Sequence, residues 1–386
     1  MDLREQVTAC RGLAEYEIVF NGSVGLEKAG TRGLSHLAEH CQCEKVKEIE
    51  PQLQQLGLNW NAFTDNNEVA FILNGLDKNV KKMIPLFTQK VLGYEVEEAV
   101  FERERGIVLA EYEMYASDQE GQMSINLGRK TLDCYDPIGN RKDLQDVTFK
   151  KFMKFKDSWM KTPSFVMYTH GSGTKCISQE DLKKAGIEET NSIEPWNKQL
   201  KYKIRDKYVK EDNAKFDSQR VIWAKRPFIS VGNFKGSMYA RILKQMLTGG
   251  LTSLLMQEIR EKISGVYSIH CSVERVNKND FIFNTSMPVP TQKADEVEEK
   301  LREIYGKLPQ LLTQDKYDLA IDALSAGIKT QEYLRFSGIL DDSRLAFVKQ
   351  ITEKPEELKK EWETFCFWLA KELKADKTDY FRDDKI

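Results

Sequence analysis

His36-Leu37-Ala38-Glu39-His40 is the stretch on which the reading of this chain turns. It holds two of the chain's four histidines, four residues apart. On a helix, positions i and i+4 lie one above the other, so both imidazoles can reach a single ion. Glu39 stands three residues after His36, on the same side and about 100° round from His40. A carboxylate there can hold a water beside a metal without binding the metal. Hydrolysis needs that pairing, because zinc lowers the pKa of water and a neighbouring carboxylate takes the proton. The competing reading is two histidines at this spacing by chance, which the fixed residue types of the motif make uncommon.

A catalytic zinc takes three protein ligands and keeps one position open. Downstream, the helical stretch Phe101-Glu102-Arg103-Glu104-Arg105-Gly106-Ile107-Val108-Leu109-Ala110-Glu111 offers carboxylates. Phe101, Val108, Tyr112 and Tyr115 fall on one stripe, and Glu104 and Glu111, seven apart, border it on the same side. Glu113 lies about 200° from Glu111 and faces solvent. A carboxylate at the edge of a buried face needs a partner, which is either a metal or an arginine. Cys41 and Cys43 raise a rival, a closed site of His and Cys ligands, since Cys43 falls near the face of His36 and His40. Free cysteine equally behaves as a small hydrophobe.

The 386 residues suggest two domains of similar size. Hydrophobic residues at 41% and charged residues at 31% describe a globular chain. A formal net charge of -2 gives no reason to expect nucleic acid. No apolar run approaches the ~18 residues of a membrane helix. The charged start, Met1-Asp2-Leu3-Arg4-Glu5-Gln6, reads as neither a secretory signal nor a transit peptide. Seven cysteines, scattered and odd in number, make no disulfide framework, and the expected compartment is the cytoplasm.

Residues 1–190 are expected to form the first domain and 217–386 the second, joined by a polar linker over 191–216. Patterning predicts a strand at Tyr16–Phe20, helices over about 31–47, 80–91, 96–117 and 149–161, and a hairpin of Asn61–Thr64 with Glu68–Leu73. In the second half it predicts strands at 220–223, 228–231, 267–273 and 281–286. Helices are expected there over about 238–247, 253–262, 294–310, 316–335 and 356–373. The two halves thus share a strand–helix–strand–strand–helix order, the mark of a duplicated unit.

With the motif, the following glutamates and Asn61-Ala62-Phe63-Thr64 in view, the sequence resembles the insulinase/pitrilysin family of inverted-motif zinc peptidases, in its half-size form. Gly33-Leu34-Ser35 leads into the motif, and 70 residues separate His40 from Glu111. The resemblance implies an α+β fold of two similar domains, each a mostly antiparallel sheet packed with helices. It implies one zinc ion per chain on His36, His40 and Glu111, with Glu39 as general base and Glu104 as a supporting carboxylate. Asn61, Ala62 and Phe63 correspond to an edge strand that pairs with substrate backbone. In the second half, Arg260-Glu261-Lys262-Ile263-Ser264-Gly265-Val266-Tyr267 resembles the family's Arg…Tyr pair, at a helix end and the next strand, which binds the scissile carbonyl region.

The resemblance further implies a zinc metalloendopeptidase whose substrates are peptides or unfolded segments, enclosed in the chamber of a dimer. A homodimer is expected because both the zinc motif and the Arg–Tyr pair are present, and a heterodimer is the variant. The alternative is a non-catalytic or partner-dependent subunit of a processing-peptidase-like assembly. Three departures stand out. Only 35 residues precede His36, so the outermost strand of the first sheet is expected to be short or missing. The chain is slightly short for the half-size type, and the linker has no clear glycine-rich loop.

Overall fold

The computed structural model describes residues 1–8, 12–93, 95–123, 125, 136–193, 219–228, 234–263, 265–275, 281–334, 342–373 and 378–382. The chain divides into two compact units. Met1–Ser117 and Cys134–Asn197 make the body of the first, and Lys198–Thr330 and Leu340–Ile386 that of the second. Most of the expected linker lies outside the described residues.

In the first unit five strands form one sheet, β1 (Leu3–Thr8), β2 (Leu13–Asn21), β3 (Asn59–Thr64), β4 (Glu68–Leu76) and β5 (Phe165–Gly171), in the order β1-β5-β2-β4-β3. Only β1 and β5 run parallel. The expectation of a short or missing outer strand is therefore corrected: β1 spans six residues and pairs with β5 from Leu3↔Val166 to Thr8↔Gly171. Its sequence, Leu-Arg-Glu-Gln-Val-Thr, carries too few apolar residues to announce a strand, as expected where an edge strand has little to bury.

The helix side of the sheet is set by alternation. Tyr16, Ile18 and Phe20 of β2, Phe71 and Leu73 of β4, and Val166 and Tyr168 of β5 are all buried in one core. Against it pack α1 (Leu34–Lys47), α3 (Asp77–Leu92) and α4 (Glu98–Ser117), with the short α2 (Glu50–Gln55) between α1 and β3. Next come α5 (Arg141–Asp146), α6 (Phe149–Asp157) and α7 (Gln179–Lys184), the last closed by a Ser178/Asp181 capping box. Helix α1 touches α3, α4, α6, β3 and β4, and buries Leu34, Leu37, Ala38, Cys41, Cys43 and Val46. It is walled on most of its circumference, so its sequence lacks a clean amphipathic stripe.

The second unit has an antiparallel sheet of β6 (Gln219–Phe228), β7 (His270–Arg275), β8 (Phe281–Pro290) and β9 (Asp379–Arg382), in the order β7-β8-β6-β9. Its helices are α8 (Phe234–Thr248), α9 (Ala294–Gly306), α10 (Leu308–Leu311), α11 (Gln314–Leu334), α12 (Asp342–Glu353), α13 (Pro355–Lys359) and α14 (Trp362–Leu373). Several expectations are corrected here. The two strands expected at 220–223 and 228–231 are one strand through Pro227, and 229–231 lie outside the described residues. The helix expected over 294–310 breaks at Lys307, before Pro309. That over 356–373 divides into α13 and α14, and the stretch 253–262 holds a π-helical turn at Met256–Arg260. Among the described residues, no helix is long and apolar enough to cross a membrane.

Candidate metal centre

Helix α1 starts from a backbone that only glycine adopts easily. Gly33 has φ +91, and a Cβ there would stand 3.1 Å from the Cα of Gly139. Gly33 offers no capping side chain, and Glu27 supplies one from six residues upstream. Its two carboxylate oxygens accept the N–H groups of Gly33 and Ser35, each at 2.8 Å. A carboxylate at a helix N-terminus meets the free N–H donors and the positive end of the helix dipole. Asp143 Oδ2 accepts from the N–H of Gly30 at 2.7 Å and of Arg32 at 3.2 Å, fixing the loop that leads in.

One turn further on, the rings of His36 and His40 stand edge to face, 4.7 Å apart. Helix α4 crosses α1 and presents Glu111 to both. Glu111 Oε2 lies 3.7 Å from His36 Nε2 and 3.5 Å from His40 Nε2. These three side chains form one of two groups of potential metal donors found among the described residues, with all ligand atoms within 4.8 Å of one another. Donors bound at ~2.0–2.1 Å on a tetrahedral ion stand about 3.3 Å apart, so both contacts of Glu111 lie within a few tenths of an ångström of zinc spacing. Two imidazoles and a carboxylate are also the donor chemistry zinc favours.

Behind the ligands, Glu104 is buried at the α1–α4 contact, with Phe101 and Val108 on the same face. Its Oε2 lies 3.4 Å from His40 Nδ1, and its Oε1 accepts from Arg103 Nε at 3.0 Å. An imidazole whose second nitrogen faces a carboxylate is held in one orientation and made a better donor to a metal. Glu113 is more than half exposed and pairs with Arg141 at 2.8 Å, away from the cluster. The His–Cys rival finds no geometry: Cys41 and Cys43 are buried in the core and belong to neither donor group. Burial pushes both thiols up.

Glu39 is buried beside the ligands, and its Oε2 accepts the hydroxyl of Thr64, the last residue of β3, at 2.6 Å. Burial raises its carboxyl above the ordinary range. The Thr64 bond and His40 pull it back, and Glu111 pushes it up. Burial, and then the neighbouring His40, push His36 down to about 4, so it is a neutral imidazole at neutral pH. Thr64 and Glu27 are the residues that sequence reasoning did not assign to the site. Thr64 closes the Asn61–Thr64 segment already singled out, whereas Glu27 carries no motif.

Strand β3 is the edge strand of the sheet opposite β1 and pairs with β4 from Asn59↔Asn74 to Thr64↔Val69. Asn61 is exposed, and Ala62 and Phe63 are half-buried. In the second unit, Arg260 ends the π-helical turn and its guanidinium lies over the Tyr267 ring, 5.5 Å from the centroid. Tyr267 is 82% exposed and precedes β7, which begins only at His270. The strand expected from residue 267 is corrected accordingly.

The fold is that of two-domain α+β peptidases. The chain resembles a protease from Helicobacter pylori with a TM-score of 0.71 at 16% identity, over 97% of this chain and 95% of that one. It resembles a peptidase M16 inactive domain from Pseudomonas fluorescens with a TM-score of 0.72 at 14% identity, over 98% and 94% of the two chains. Residues 19–135 match the model of the insulinase family, peptidase family M16, and residues 146–324 match that of the peptidase M16 inactive domain. The chain belongs to peptidase family M16. Among sequence relatives, an uncharacterized zinc protease of Rickettsia felis is 19% identical over 362 residues, 90% of this chain and 81% of that protein. The mitochondrial-processing peptidase subunit beta of Neurospora crassa is 22% identical over 135 residues, 32% of this chain and 28% of that protein. An uncharacterized zinc protease of Rickettsia bellii is matched over 60% of its length, so the chain spans less than two thirds of both these last relatives.

Proposed function

We propose that this chain is a zinc-dependent endopeptidase acting on peptides or unfolded segments. The observation that carries the reading is the convergence of His36, His40 and Glu111 beside the buried Glu39. His36, His40 and Glu111 would hold the ion, which when bound supplies a Lewis acid that acidifies water and polarises a carbonyl. Glu39 accepts the proton of the attacking water and passes it to the leaving amine. Its raised carboxyl suits it to hold a proton between those two transfers. Glu104 fixes His40, and Thr64 fixes Glu39. The outer edge of β3 at Asn61, Ala62 and Phe63 pairs with the backbone of an extended substrate.

Arg260 and Tyr267 donate hydrogen bonds to the developing oxyanion. In the assembly proposed here, a homodimer enclosing a chamber in the cytoplasm, the ligand set of one copy faces the Arg–Tyr pair of the other. A second reading is a partner-dependent or non-catalytic subunit. It is favoured by relatives named as a processing-peptidase subunit in Neurospora crassa and Bos taurus, and the intact Glu39 opposes it. Size-exclusion chromatography with a quenched-peptide assay on the single purified chain separates the two. Hydrolysis that Glu39→Gln abolishes while zinc content is kept supports the peptidase; full activity in that variant defeats the mechanism. Inactivity of the zinc-loaded wild type points to the subunit.

A further inference from the structure

At the opposite edge of the first unit's sheet lies the other group of metal donors. We propose that Glu5, His170 and Cys176 form a second site for a divalent transition-metal ion of the zinc class. The proposal does not depend on the reading of the first site. Glu5 stands on β1 and His170 on β5, and Cys176 follows five residues after β5 ends. In the register of the parallel pair, Glu5 lies opposite Tyr168 and Val7 opposite His170, which places Glu5 and His170 on one face. The donor atoms of all three residues lie within 4.8 Å of one another. Strands β1 and β3 are four strand spacings apart, roughly 19 Å at about 4.8 Å per spacing. β3 is the strand whose Thr64 meets Glu39, and the two donor groups share no residue, so the cluster is separate from the His36–Glu111 set.

The hydrogen bonds around His170 say which nitrogen is available. Its Nδ1 faces the carbonyl oxygen of Gly171 at 3.2 Å and the hydroxyl of Thr174 at 2.9 Å. That hydroxyl itself donates to Gly171 O at 2.7 Å, so the proton of the imidazole belongs on Nδ1. Nε2 then faces Glu5 Oε1 at 2.7 Å, an imidazole lone pair against a carboxylate. Two acceptors hold that distance only with a cation shared between them, either a second ring proton or a metal ion. The ring is almost fully buried, 3% exposed at the side chain. Cys176 beside it adds a sulfur donor, which a simple His–carboxylate ion pair does not use. Nitrogen, oxygen and sulfur together suit zinc or cobalt better than magnesium or calcium. Opening the 2.7 Å contact by about half an ångström gives tetrahedral spacing. The Glu5 side chain, half exposed at the sheet edge, is free to make that move.

Such an ion would clip the first strand of the chain to the segment after β5. Cobalt(II) reads the site directly, because thiolate-to-cobalt charge transfer absorbs in the near ultraviolet and the first donor set contains no sulfur. The metal-free full chain, kept reduced with a phosphine, is titrated with cobalt(II). The charge-transfer band is expected in the wild type and in His40→Ala, and its loss is expected in Cys176→Ser. Glu5→Gln, a change at an exposed edge, is expected to weaken the binding that produces the band at least tenfold. Absence of the band at saturating cobalt, its survival in Cys176→Ser, or unchanged affinity in Glu5→Gln would each overturn the proposal. Loss of cobalt from the first donor set alone leaves the band in place, so the two sites fail separately.

Discussion

Thr64 Oγ1 donates to Glu39 Oε2 across 2.6 Å, so the end of the edge strand is bonded to the carboxylate inside the inverted motif. The bond joins the strand proposed to carry substrate to the group proposed to move its protons. It also lowers the Glu39 carboxyl against the upward push of burial. Replacing Thr64 with Val removes that pull and lets the pKa rise. Because a general base must be ionised, the acid limb of the kcat/KM profile should move to higher pH, with activity down about tenfold on that limb. A pH profile unchanged in the variant would separate Thr64 from catalysis.

Glu104 makes a different kind of contact, with the far nitrogen of His40 rather than with the donor atoms that meet Glu111. Glu104→Gln keeps shape and loses charge. Zinc affinity should fall about 10- to 100-fold, as such supporting partners generally contribute. Competition against a chromogenic chelator measures it, and affinity equal to wild type would show that His40 is oriented without Glu104.

His36 is held at about 4 in the folded chain against an ordinary 6.5, through burial first and then His40. A folded value below the unfolded one means that the unfolded chain takes up the proton more readily. The contribution to stability is therefore complete above pH 6.5 and lost as pH falls through about 4. Metal-free wild type should lose on the order of 3 kcal/mol more than His36→Gln over that interval in urea unfolding. Parallel losses in the two proteins would contradict the buried neutral imidazole.

Gly139 and Gly186 give a matched pair of alanine substitutions. Both have positive φ, +86 and +91, but a Cβ on Gly139 would collide with the backbone of Gly33, whereas Gly186 faces open space. Gly186→Ala should cost about 1–2 kcal/mol from backbone conformation alone. Gly139→Ala adds the collision, for roughly 2–4 kcal/mol in all, and displaces the start of α1. Thermal unfolding with zinc titration should show lower stability in both variants, with the larger loss in Gly139→Ala, and weaker metal binding in Gly139→Ala only.

What the sequence made legible follows from where the signal was local. The His36–His40 spacing and the Glu104–Glu111 spacing are helix periodicities, and α1 and α4 bring those side chains together. The β3–β4 hairpin was visible through its alternation around the Asp65-Asn66-Asn67 turn. Strand β1 was not, because an edge strand with one apolar residue in three buries too little to leave a pattern. Glu27 was invisible for another reason. Its role depends on a loop folding back six residues onto a glycine, and no spacing rule encodes that. Of the two divisions, that at Lys307 carries a local mark, Pro309 in the first turn of α10, whereas that at Lys360 falls inside a stretch whose apolar period continues unbroken, so no local pattern announces it.

The open side of β3 carries a liability as well as a use. An unpaired strand edge offers the same N–H and C=O ladder to any extended chain, including another copy of this one. β3 spans only six residues, and its exposed positions, Asn59 and Asn61, are amides rather than large apolar groups. Short length and polar side chains limit how much a fibril-like stack could gain there. Solubility and recognition thus compete along one row of backbone groups, and a hydrophobic residue at Asn61 would tilt that competition toward aggregation.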